Sequence, residues 1–182
     1  MKLINSLVAI TFVLIFLGIT KGEYVQFEKP AQNTIETYFL KAKVNGKWVE
    51  YNKNEQLSAS FGLYIDNVHD GVLSASNIDD NDYSVTNSIS IIIRQTGKIG
   101  VGSYSGGKQF EYGFKGVTLA FMDVSQSAMY MTDVDNPESF LKINQLTNTH
   151  VKGTFSGVVI NPVNRQKVSV TEGEFYIKSA HY

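Results

Sequence analysis

From His150 to Lys178 the chain reads HVKGTFSGVVINPVNRQKVSVTEGEFYIK, and its hydrophobic alternation constrains the fold more than any other stretch. Val151, Phe155 and Val159 share one parity while Thr154 and Ser156 take the other, the pattern of a strand with one face in a core. After a polar turn the beat resumes with Val168 and Val170, then changes phase at Phe175 and Ile177. A strand has period two, so keeping all four side chains inward requires one extra residue between them. A β-bulge at Gly173 is the expected device, because glycine accepts the positive φ that such a kink often needs.

Two long paired strands predict an all-β domain, and the rest of the chain agrees. Tyr38, Leu40, Ala42 and Val44 alternate, and Asn45-Gly46 supplies the two positive φ values of a type I′ turn before Lys47 to Tyr51. Leu57, Ala59, Phe61, Leu63 and Ile65 keep a two-residue beat, Asp70-Gly71 reads as the next turn, and Val72 to Ile78 as a short strand. Ile89 to Ile93 holds four isoleucines in five residues, which predicts a central strand buried on both faces. Thr96-Gly97 reads as a turn into a return strand from Ile99 to Val101. Further strands are expected at Phe110 to Phe114, Val117 to Phe121, Met129 to Met131 and Phe140 to Leu146, with room for a helical turn at Asn136-Pro137. The sum is an antiparallel β-sandwich or flattened β-barrel of about ten short strands.

Gly153-Thr154-Phe155-Ser156-Gly157, then Val168 to Phe175, resembles the C-terminal signature of an uncharacterised family of small exported β-proteins of Gram-negative bacteria. Phe39 to Trp48, FLKAKVNGKW, is similar to the opening hairpin of that family. The resemblance implies a β-fold and export to the cell envelope, and it carries no activity. Many members are similar to lipoproteins anchored through a cysteine; this chain has no cysteine, so neither that anchor nor a disulfide is available to it.

Residues 1–22 read as a signal peptide, with Lys2, an apolar run from Leu3 to Ile19, and small residues before a cleavage point after Gly22. A run of about 17 residues also reaches the lower limit for a retained membrane anchor. Residues 23–182 are expected to form a single β-domain, soluble in the periplasm or secreted, with no membrane contact in the mature form. A formal net charge of −1, with 16 basic residues spread along the chain, gives no field that would gather nucleic acid.

Motifs with chemistry are few. Gly102 to Lys108 has the glycine and lysine spacing of a phosphate loop, but Gln109 stands where a magnesium-binding hydroxyl belongs and no helix follows. Gly102 to Gly106 and Gly153 to Gly157 both put an aromatic residue where a nucleophile elbow needs serine. His69, His150 and His181 lie at no metal-ligand spacing, and the acidic runs match no calcium loop, so neither a cofactor nor a metal is expected. Aromatics make up 12% of the chain, enough to spare some for a surface. Trp48, Tyr51, Phe110, Tyr112 and Phe114 are the candidate ligand-binding residues, since rows of such rings stack on sugars or grip an extended peptide. The function expected is non-enzymatic binding of a glycan or an envelope protein, or a structural role in the envelope. The alternatives are a secreted hydrolase using carboxylates or a metal, and a carrier holding a small apolar ligand inside a barrel.

Overall fold

The computed structural model describes residues 37–79, 84–107 and 116–181. The chain divides into a unit Met1–Ile35, which lies outside the described residues together with the expected signal peptide, and a unit Glu36–Tyr182. Within the second unit eleven strands follow one another: β1 (Phe39–Val44), β2 (Lys47–Tyr51), β3 (Leu57–Ile65), β4 (Val68–Ile78), β5 (Val85–Thr96), β6 (Gly102–Ser105), β7 (Gly116–Asp123), β8 (Ala128–Thr132), β9 (Glu138–Leu146), β10 (His150–Ile160) and β11 (Lys167–His181). Two single 3₁₀ turns, Asn54–Gln56 and Val124–Gln126, are the only helical elements among the described residues, and no helix there is long and apolar enough to cross a membrane. The fold is all-β, as the alternation predicts.

The hydrogen-bonded network folds over into two halves. One runs β2-β1-β11-β10-β9-β6 and the other β3-β4-β5-β7-β8. They join at two corners. Ser179 to His181 pair parallel with Ala59 to Phe61, and Val159 and Ile160 pair with Thr132 and Met131. The pairings therefore return on themselves, the topology of a sandwich flattened from a closed sheet. The parallel corner departs from the purely antiparallel expectation, and it arises because β11, at 15 residues, outruns β1 and meets β3 beyond it. One core cluster fills the space between the halves, with Leu40, Tyr51, Phe155, Phe175 and Ile177 from one sheet and Phe61, Leu73, Ile91 and Leu119 from the other.

The β1–β2 turn forms as its dipeptide demands, with Asn45 at φ 47° and Gly46 at φ 79°. The next turn lies elsewhere than the sequence suggests. The chain reverses at Asp66-Asn67, and Asp70-Gly71 sit inside β4. Gly71 is a matter of space, since a Cβ there would lie 2.6 Å from the Phe61 ring and 2.7 Å from Ile93. Ile89, Ile91 and Ile93 are buried and β5 is central, between β4 and β7, but Ile92 is only partly covered because it faces away from the core. Ile99 to Val101 form no return strand on β5; the chain leaves that half, and β6 pairs with β9 across the core. Asn136-Pro137 make a bend that enters β9 directly.

The extra residue in β11 is present. Phe155 pairs with Gly173 but Gly157 with Val170, and Lys41 pairs with Glu174 but Lys43 with Thr171. The left-handed residue is Glu172, at φ 51°, so the kink falls one position before Gly173. Gly173 serves instead as a seat, because a Cβ there would lie 2.7 Å from the Phe155 ring and against the Phe155 carbonyl oxygen. Gly153 does the same for Phe175. Each aromatic ring thus covers the glycine directly opposite it on the neighbouring strand, and the two rings meet at 6.3 Å.

Candidate functional site

The outward face of the six-stranded half is the candidate site. Two rows of side chains cross it perpendicular to the strands. In the first, register places Trp48 of β2 beside Lys43 of β1, then Thr171 of β11, and on the far side of the bulge Ser156 of β10, Phe140 of β9 and Ser105 of β6. In the second, the order is Glu50, Lys41, Glu174, Thr154, Lys142 and Ser103. Alternation produces both rows: the opposite parity in each strand carries the core residues, which leaves these positions facing out.

Trp48 and Phe140 are 53% and 56% exposed, and both line one shallow concavity of about 480 Å³. Four strand spacings separate them, a span of about 19 Å. Between them the exposed side chains of the concavity are polar, Ser103, Lys142, Thr154, Glu172 and Glu174, with Ser156 partly covered and the buried residues Tyr104, Leu141, Phe155 and Gly173 beneath them. The β1 lysines are held twice over. Lys43 lies 2.7 Å from Glu172 and Lys41 lies 3.1 Å from Glu174, while their ammonium groups stand 5.1 and 5.7 Å from the centre of the Trp48 ring. This clamp fixes the indole orientation through cation–π attraction and neutralises both carboxylates. Glu172 reaches its lysine because the bulge turns its side chain outward.

Of the five aromatic candidates, Trp48 is on this face. Tyr51 is not: its side chain is fully buried and its hydroxyl donates to Asn87 Oδ1 at 2.8 Å, tying the two halves together. Tyr51 shares parity with Val49, opposite to Trp48 and Glu50, so the two aromatics of β2 cannot present themselves together. Burial pushes the Tyr51 hydroxyl well above the usual phenol pKa. Phe110, Tyr112 and Phe114 lie outside the described residues. Sequence reasoning passed over Phe140, although Leu141 and Ile143 set the inward parity of β9 and leave Phe140 and Lys142 facing out. Among the described residues, no group of three or more His, Asp or Glu side chains converges to hold a metal ion.

A second concavity, of about 510 Å³, opens at one end between the halves, over Val44, Phe121, Tyr130 and Val168. Several of its polar members close the sheet ends: Asn45 accepts from the Ser169 amide at 3.0 Å, Asp123 accepts from Ser125 at 2.6 Å, and Asn87 accepts from both Tyr51 and Asn77. On the outer face the side chains of Ser103, Lys142 and Thr154 make no hydrogen bond or ion pair with any other described residue. Searches for known proteins like this one find no matching family model, no matching curated protein and no matching solved structure.

Proposed function

We propose that this protein is an exported, non-enzymatic glycan-binding module that uses the outer face of its six-stranded half. The observation that carries the reading is the placement of Trp48 and Phe140 in one cross-strand row, both half exposed and bounding one concavity whose intervening exposed side chains are polar. A sugar presents an apolar face of C–H bonds and a rim of hydroxyls. Two separated rings with hydroxyl, ammonium and carboxylate groups between them match an oligosaccharide laid across the strands. A protein interface packs an apolar core at its centre, and here the two exposed rings stand about 19 Å apart. The two carboxylates lining the concavity are each held by a lysine, which disfavours their use as a general acid and nucleophile. Export rests on the apolar leader of residues 1–22 and on the likeness of both chain ends to exported β-proteins.

The test is binding of residues 23–182 to an array of bacterial and plant oligosaccharides, followed by titration of the strongest hit while monitoring Trp48, the single tryptophan. Trp48→Ala and Phe140→Ala are each expected to weaken binding about tenfold, the loss of one stacked ring. Binding that is indifferent to both substitutions, or no binding to any glycan, overturns the proposal.

A further inference from the structure

Charge divides the outer face into two unlike halves. On the β1–β11 side the two lysines of the face each have a carboxylate: Lys41 with Glu174 and Lys43 with Glu172. On the β6–β9–β10 side Lys142 has none. It is flanked across the strands by Ser103 and Thr154, and no other described residue engages any of the three side chains. All three are exposed and line the same concavity, and Phe140 is two residues from Lys142 on the same strand face. Lys152 faces out on β10 next to this row, opposite Gln145, and also lacks an acidic partner. Neighbouring cations without counter-ions repel each other unless an anion comes between them.

We infer that Ser103, Lys142 and Thr154 form an anion subsite, and that the glycan bound on this face is acidic, carrying a uronate carboxylate or a sulfate ester next to the sugar that stacks on Phe140. The inference rests on the glycan-binding reading and specifies its substrate class. Lys142 supplies the charge and the two hydroxyls supply neutral donors on either side, an arrangement that accepts an oxyanion lying along the row. The Trp48 end is neutralised within the protein and takes an uncharged sugar, so the two ends give the bound chain a direction.

The experiment compares three probes by calorimetry on residues 23–182: a galacturonate hexamer, the same hexamer with its carboxyls reduced to alcohols, and a sulfated galactose hexamer. The wild type is expected to bind at least one anionic hexamer about tenfold more tightly than the reduced one, a preference that shrinks as salt is raised. Lys142→Gln is expected to abolish the preference, so that the anionic and reduced hexamers bind alike. Lys98→Gln, in the loop after β5, is expected to keep it. Whichever anionic hexamer is preferred tells carboxylate from sulfate. Equal affinity for all three probes, with binding still dependent on Trp48, overturns the anion subsite and leaves the glycan reading standing. A preference that survives Lys142→Gln overturns the assignment of these residues. No binding to any of the three, together with an array free of hits, removes the glycan reading and the subsite with it.

Discussion

Adding one methyl group at Gly173 tests whether the paired rings of β10 and β11 depend on their glycines. A Cβ at this position would stand 2.7 Å from Cγ and Cδ1 of Phe155. Carbon atoms pack comfortably at about 3.5 Å or more, so the ring must retreat by roughly 0.8 Å. It has little room, because Phe175 lies 6.3 Å away and is fully buried, and the Phe155 carbonyl also crowds the new methyl. Overpacking of this kind costs about 1–3 kcal/mol, and a clash with both ring and backbone belongs at the upper end, about 2–3 kcal/mol for Gly173→Ala. In a domain of this size that lowers the thermal midpoint by about 5–10 °C. Removing the ring should relieve its share while the contact with the carbonyl remains. Phe155→Ala alone costs about 3–5 kcal/mol, but in that background Gly173→Ala should cost about 1 kcal/mol less than in the parent, a coupling of about 1 kcal/mol in a double-mutant cycle. Urea unfolding of the four proteins measures it. Additivity within about 0.5 kcal/mol would refute the claim that Gly173 exists to seat Phe155.

Three other substitutions probe separate parts of the structure. Glu172 sits at φ 51° in the bulge, so Glu172→Val should destabilise by about 1–2 kcal/mol while Glu172→Gly stays within about 0.5 kcal/mol of the parent, since the lost ion pair with Lys43 is exposed; denaturant midpoints decide. Thr132, buried at the β8 corner, accepts from the Leu119 amide at 2.8 Å and contacts the buried Ser139 hydroxyl, so Thr132→Val leaves two polar groups unsatisfied and should cost about 1–3 kcal/mol in urea melts. Tyr51 has a folded-state pKa raised by burial above its unfolded value, so its protonated form contributes fully below about pH 10 and that contribution is lost as pH rises further. Tyr51→Phe should be about 1 kcal/mol less stable at pH 7 through loss of the bond to Asn87, and the gap should narrow above about pH 10 in stability curves taken at both pH values.

What the sequence made legible was whatever one strand decides by itself. Parity named the inward residues of β10 and β11, and the Asn45-Gly46 pair fixed its turn because few other dipeptides accept two positive φ values. What it hid depends on pairs of strands. Gly71 looks like a turn glycine until Phe61 is known to lie across from it, and Gly173 looks like the bulge residue until Phe155 is found over it. A glutamate at positive φ gives no local sign, so the bulge was placed one residue late. The site divides the same way. Trp48 was accessible by its type, whereas its row with Phe140 needs the order β2-β1-β11-β10-β9, in which strands distant in sequence become neighbours.

Strand β11 bonds to β10 along most of its length, to β1 from Val170 to Tyr176 and to β3 at its tip, and it is the last of the described strands. Synthesis therefore delivers the other ten described strands before the one that ties the β1–β2 hairpin into the network and closes the β3 corner. Until then β1 lacks a neighbour on one side, and its eventual contacts, such as Lys43 with Glu172, close a loop of 129 residues. Contacts that distant make folding slow, because a large loop must be closed before they form. A truncation that removes β11 leaves β1 and β2 paired only with each other and β3 with an open edge, while the remaining corner still pairs β10 with β8.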